Sequence, residues 1–370
     1  MSKYILLIDP TSVGNVHETF ILKVLSNEMQ KNSSYHFFLV CDFSSYMNTI
    51  RLVRRYTSLD IAKISHIPIN TESIFYSIKF VFRLRTIMKI VGSKLEKIIF
   101  LDTTSSTLIF NLFYKTDKSQ IIKSYLHGSL RLLSKDRSSR PQTRFEIGRK
   151  TFRVHLKRIF LWFPWILRFN LIFKKNVKFV VLGSHIKKSL LFFHLFPLRN
   201  VGVEVLPTFS FILEEKIPNK NARNFIILGD FSISMLNYLL PWFIGNNSKV
   251  KLYITSPKAK YIFEKSVSDN VIHVSDINRE HLCELANTLD YIIMLRLKDN
   301  LSLQSSAVFF ESLALNLPII APSWAWERIG PDFKPNGYFF EDENSLLKII
   351  SGLVSTSDDL TSFIPKSDYQ

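Results

Sequence analysis

The chain has 370 residues, 46% hydrophobic and 21% charged, with only 11 Gly and 14 Pro; it can bury a core, which excludes intrinsic disorder and collagen-like or low-complexity order. Lys and Arg number 48 against 31 Asp and Glu, a net charge of +17, so a negatively charged partner is expected, whether anionic lipid, nucleic acid or a phosphorylated small molecule. Cys41 and Cys283 stand far apart, outside any Cys-x-x-Cys or Cys/His cluster; neither a disulfide framework nor a structural zinc site is suggested, and a reducing cytoplasm fits best.

In chain order, Tyr4–Asp9 reads as a first buried strand. It is cut short by Asp9 and Pro10 and lacks the apolar length and cleavage site of a signal peptide. Short apolar runs then alternate with helix-like stretches, the pattern of parallel sheets covered by helices. Further strands are expected at His36–Cys41, Lys97–Asp102, Ile121–Leu126, Lys178–Leu182 and Val203–Leu206. A second set comprises Phe225–Leu228, Val250–Thr255, Val271–Val274, Tyr291–Leu295, Pro318–Ala321 and Tyr338–Phe340. Between the sets, the run from Pro207 through Pro218-Asn219-Lys220-Asn221 reads as a connection. The expected organisation is therefore an amino-terminal domain over 1–206, a linker over 207–222, a carboxyl-terminal domain over 223–345, and a terminal helix and tail over 346–370. Each domain reads as doubly wound α/β and Rossmann-like. Ligands of such domains bind beyond the carboxyl ends of the strands.

Two stretches of the first domain are basic and apolar together. Glu72–Val91 has Lys79, Arg83 and Lys89 among Ile74, Phe75, Ile78, Phe82, Ile87 and Ile90, and reads as a core helix with a solvated basic face. From Arg131 to Lys175 only Asp136 and Glu146 oppose a long series of Lys and Arg, which interleave with aromatic residues. Its centre, with Arg158, Trp162, Trp165 and Arg168, is the expected contact with an anionic membrane surface. No helix-turn-helix, RRM, KH or zinc module accompanies the charge, so nucleic acid is not the expected partner. No apolar run reaches the roughly 17–25 residues of a membrane span.

The most informative stretch is Asp299–Ser323, read as a loop, a helix starting near Ser305 or Ser306, a turn at Asn316 and a buried strand. A helix N-terminus capped by either serine leaves N–H groups free for a diphosphate. Glu311, further along that helix, can accept two hydroxyl hydrogen bonds, as carboxylates do from ribose. Arg296 and Lys298, just after the Tyr291–Leu295 strand, are candidates for diphosphate charge.

The run Phe309-Phe310-Glu311-Ser312-Leu313-Ala314-Leu315-Asn316-Leu317-Pro318-Ile319-Ile320-Ala321 resembles the carboxyl-terminal signature of GT-B glycosyltransferases, especially family 4. Glu311 takes the second glutamate position of that pattern, and Leu303 stands at the first. The resemblance implies two Rossmann-like domains facing across a cleft, a nucleotide-sugar donor held by the second, no essential metal or cofactor, and retention at the anomeric carbon. Where an Arg and a Lys often follow the first strand of the family's second domain, this chain has the turn Gly229-Asp230-Phe231-Ser232, and Gly229 is a candidate donor-side residue. The loop holding Gly14, His17 and Glu18 resembles the acceptor loop, with His17 a candidate base, and His127 resembles the family's cleft histidine. The activity implied is transfer to a lipid-linked saccharide in O-antigen or capsule synthesis, by a cytoplasmic enzyme peripheral to the inner face of the cell membrane. Alternatives are a nucleotide-sugar epimerase or hydrolase of the same architecture, or a degenerate binding subunit.

Overall fold

The computed structural model describes residues 3–10, 18–69, 76–114, 120–126, 177–192, 201–203, 211, 222–229, 231–245, 250–255, 268–274, 277–296 and 307–354. The chain forms two compact units, the described residues up to 203 lying in the first and those from 211 onward in the second.

The first unit runs β1 (Tyr4–Ile8), α1 (Glu18–Lys31), β2 (His36–Cys41), α2 (Phe43–Tyr56), β3 (Ile64–Pro68), α3 (Tyr76–Val91), β4 (Leu95–Phe100), α4 (Ser105–Phe113), β5 (Ile121–Leu126), β6 (Val177–Val181), α5 (Ser184–Phe192) and β7 (Val201–Val203). Its sheet has the order β3-β2-β1-β4-β5-β6-β7, and every pairing is parallel. A strand covered on both faces must be apolar at consecutive positions, and β1 obeys: Ile5, Leu6, Leu7 and Ile8 are all buried. β1 is an interior strand, with Tyr4–Ile8 against His36–Val40 on one side and Leu95–Phe100 on the other.

The second unit runs β8 (Asn224–Ile227), α6 (Ile233–Gly245), β9 (Lys251–Ile254), β10 (Val271–His273), α7 (Arg279–Ala286), β11 (Tyr291–Ile293), α8 (Ala307–Ala314), β12 (Ile319–Pro322), α9 (Ser323–Phe333), β13 (Gly337–Phe340) and α10 (Glu343–Val354). Its parallel sheet, β10-β9-β8-β11-β12-β13, has the strand order of dinucleotide-binding domains. Phe225, Phe243 and Tyr291 pack ring on ring in its core. Both units are thus doubly wound and Rossmann-like, as the alternating pattern implies.

One strand escaped the sequence pattern. β3, with the sequence Ile-Ser-His-Ile-Pro, is an edge strand paired only with β2, and just its first residue is buried. An edge exposes polar positions and tolerates Pro, so no apolar run marks it. The expected strand Val203–Leu206 overlaps β7 at Val203, and 204–206 lie outside the described residues.

α3 has the expected core side and exposed basic side, and the basic side also carries apolar groups. Phe80, Leu84, Ile87, Met88 and Val91 enter the core, whereas Phe82 and Ile90, 61% and 79% exposed, project outward with Arg83, Arg85 and Lys89. Two large apolar groups thus stand exposed on a basic face.

α2 begins at an Asp42 cap, whose carboxylate accepts from the Ser44 N–H at 2.9 Å and from the Ser44 hydroxyl. The Ser44 hydroxyl above all, helped by backbone N–H groups, holds the Asp42 carboxyl below the usual carboxylate range. Asp42→Ala is expected to cost about 1 kcal/mol at neutral pH. Because the folded-state pKa is depressed, this contribution is present above the unfolded value and disappears as pH falls through the folded one. Melts of both proteins from pH 7 to pH 3 test this: a difference that widens on acidification would be the wrong sign.

Candidate functional site

In a doubly wound sheet the ligand crevice opens where successive strands are added on opposite sides, which in the second unit is between β8 and β11. Beyond β8, Gly229 has φ +68°, with no atom within 4 Å of where a Cβ would stand; glycine is needed there for the left-handed turn, not for close packing. Its N–H points to Thr255 Oγ1 at 3.3 Å. Buried Phe231 anchors the following turn. The Ser232 N–H then donates to the Leu295 carbonyl at 2.7 Å, tying this turn to the carboxyl end of β11. The Ser232 carbonyl accepts from Leu236 N–H at 3.0 Å as α6 begins. The first turn of α6, with its inherently unpaired N–H groups, therefore stands beside the chain at Leu295–Arg296. Arg296 itself is half-buried.

α8 supplies the second part. It ends in a turn through Asn316, whose φ of +48° suits Asn better than most residues, and the chain passes directly into β12. Glu311 lies in the middle of α8, and its carboxylate is gripped by both terminal nitrogens of the Arg279 guanidinium, Nη2–Oε1 being 2.9 Å. Arg279 opens α7, whose cap is Asn278. Its guanidinium carbon lies 5.0 Å from the centre of the Phe211 ring. The Phe211 N–H in turn donates to the Ala314 carbonyl, at 2.8 Å, on α8.

In the first unit, Asp9, Glu18, Asp102, Thr103 and Ser124 are all buried near the carboxyl ends of β1, β4 and β5. The Thr103 hydroxyl lies 2.8 Å from that of Ser124 and donates to the Tyr125 carbonyl at 2.6 Å. Glu18, expected on an open loop, is instead the first residue of α1 and is buried. A readable signal existed for this polar shelf, since Asp closes the apolar runs at Asp9 and Asp102.

Of the expected site residues, Glu311, Arg296, Gly229 and Glu18 are thus placed, the first three in the second unit. Gly14, His17, His127, Ser305, Ser306, Arg158, Trp162, Trp165 and Arg168, like Lys298, lie outside the described residues. Arg279 and Phe211 were not foreseen, for Arg279 is 32 residues from Glu311 and no periodic pattern joins them. Among the described residues, no group of three or more His, Cys, Asp or Glu is arranged to hold a metal ion. Nor is any helix among them long and apolar enough to cross a membrane.

This pair of parallel doubly wound sheets, with the crevice-side turns at β8 and β11, defines the GT-B fold. Its solved neighbours include a point mutant of S. aureus TarM in complex with fondaparinux, alpha-GlcNAc-glycerol and UDP, with a TM-score of 0.58 at 10% identity over 96% of this chain and 94% of that one. A UDP-N-acetylglucosamine 2-epimerase is similar with a TM-score of 0.54 at 13% identity over 96% and 88%, and the glycotransferase of kitacinnamycin with 0.51 at 7% over 96% and 91%. No family model and no curated protein matches the sequence.

Proposed function

We propose that the chain is a glycosyltransferase that takes its sugar from a nucleotide-sugar donor bound by the second unit. The observation that carries this reading is the switch-point arrangement: the α6 N-terminus tied to Leu295, Arg296 next in the chain, and Glu311 on α8. Departure of a nucleoside diphosphate builds negative charge on its phosphate oxygens while the sugar becomes oxocarbenium-like. In this reading the helix N–H groups and Arg296 stabilise that charge, Gly229 lets the backbone approach, and Glu311 receives the ribose hydroxyls. The UDP present with the TarM mutant supports a nucleoside diphosphate as the ligand class. Ser305 and Ser306 are the further donor-side candidates and His127 and His17 the acceptor-side ones, with retention as the outcome that the family resemblance implies and inversion the alternative if His17 acts as base.

The proposed acceptor is a lipid-linked saccharide of cell-surface polysaccharide synthesis, met at the cytoplasmic membrane face. Support comes from the +17 charge and from the exposed α3 face, where Phe82 and Ile90 stand among Arg83, Arg85 and Lys89. That face and the segment holding Arg158, Trp162, Trp165 and Arg168 suit an anionic bilayer surface. The similarity to a 2-epimerase favours a second reading, in which the donor sugar is rearranged with no acceptor.

Thermal-shift titration with UDP, GDP, dTDP and CMP is expected to show stabilisation by one nucleotide series, and Arg296→Met is expected to weaken that ligand roughly tenfold or more. Unchanged affinity would remove Arg296 from the site. Incubating the nucleotide sugar with and without polyprenyl-diphosphate saccharide then separates the readings: conversion of donor without acceptor selects the epimerase.

A further inference from the structure

We propose that Arg279 is a positioning residue for the nucleotide, fixing Glu311 so that its carboxylate meets the ribose hydroxyls; this rests on the donor-binding reading of Glu311. The contact is a fork-to-fork pair, guanidinium Nη1 and Nη2 against Oε2 and Oε1. Such a pair uses one lone pair on each carboxylate oxygen and fixes the direction of the carboxylate's other acceptor sites. The exposures point the same way. The Arg279 side chain keeps 8% of its surface and that of Glu311 keeps 21%, so a ligand can reach the carboxylate but hardly the guanidinium.

Arg279 is itself held from three sides. Its backbone opens α7 behind the Asn278 cap, its guanidinium stacks on Phe211, and the Phe211 backbone is bonded to Ala314 on the helix that carries Glu311. The planar guanidinium thereby sets the plane of the carboxylate as well as its position. Arg279 also answers an electrostatic need. A carboxylate placed near a nucleoside diphosphate repels it, and a cation bonded to that carboxylate offsets the repulsion without competing for the phosphates. Lysine would supply charge at one point only and would leave the carboxylate plane unspecified.

The test is isothermal titration of the full chain with UDP and GDP, each against its 2′-deoxy and 2′,3′-dideoxy form. Wild-type protein is expected to prefer the form with both hydroxyls by about tenfold or more, and Glu311→Gln to lose most of that preference. Arg279→Met is expected to reduce the preference to about twofold and, by leaving the Glu311 charge uncompensated, to weaken the dideoxy form as well, with Arg279→Lys retaining more of both. Phe211→Leu, which removes the stack and leaves the ion pair, is expected to give a partial loss and covers the case in which Arg279→Met fails to fold. If the wild type shows no preference for the hydroxyls, the ribose role of Glu311 falls and this proposal falls with it. If Glu311→Gln loses the preference but Arg279→Lys and Phe211→Leu both keep it in full, Arg279 is purely structural and only this proposal is overturned.

Discussion

Gly337→Ala is expected to unfold the second unit at temperatures where the wild-type protein is intact. Gly337 opens β13 with φ +145°, and a Cβ there would lie 1.8 Å from the Ile319 carbonyl oxygen and 2.7 Å from its carbon and nitrogen. All three are backbone atoms of β12, the strand to which β13 is paired in the register Ile319↔Gly337. No rotamer change relieves such a contact. β13 must leave β12, breaking the Ile319 N–H bond to the Asn336 carbonyl and drawing buried Phe340 from the core. Strain at a forbidden φ and loss of an edge strand together should cost about 3 kcal/mol or more, a fall in Tm on the order of 10 °C for a unit of this size. Circular dichroism melts decide it, with Gly245→Ala as the control, since Gly245 has open space around the added methyl group. Equal melts for Gly337→Ala and wild type would show that β13 does not start against Ile319.

The second large effect is expected in the first unit. Lys97 Nζ on β4 sits 2.8 and 2.7 Å from the two carboxylate oxygens of Glu28 on α1, whose side chain is only 5% exposed. Lys97→Met would leave that carboxylate buried with the weak 3.4 Å contact from the Asn32 amide and, among the described residues, no opposing charge paired to it. Removing one partner of a buried pair costs about 3–5 kcal/mol, whereas replacing both by apolar groups of similar volume is often nearly neutral. Urea titration of Lys97→Met, Glu28→Leu and the double variant should therefore show a double variant more stable than either single one. Additive losses would mean that the two groups act independently.

The fold was legible because both sheets are buried on both faces. Such strands appear as unbroken runs like Tyr-Ile-Leu-Leu-Ile and His-Phe-Phe-Leu-Val-Cys, which little else in a chain imitates. β3 was missed for the complementary reason: an edge strand with Ser65, His66 and Pro68 need not be apolar. At the candidate site, local features could be read. The left-handed Asn316 turn and the position of Glu311 within a helix follow from spacing and residue type. What the residues around Glu311 do to it could not be read. Arg279 reaches it only because β10, α7, β11 and α8 fold in succession, and Phe211 joins them from a stretch that reads as mere connection. The outward placement of Phe82 and Ile90 was equally hidden, since helical spacing gives relative faces but not which face the sheet takes.

The strand order also governs what happens while the chain is being made. β1 is translated before both of its partners and lies between them, so one of its edges can pair once His36–Cys41 has emerged while the other waits for Leu95–Phe100. At about 5–20 residues per second, that wait is on the order of ten seconds. β8 repeats the situation, pairing early with β9 and late with β11. Twice during synthesis, then, a nascent chain on the ribosome offers an open, apolar, hydrogen-bonding edge to its surroundings. Yield in a cell is accordingly expected to depend on the order of emergence and on holdase chaperones as well as on the stability of the finished molecule.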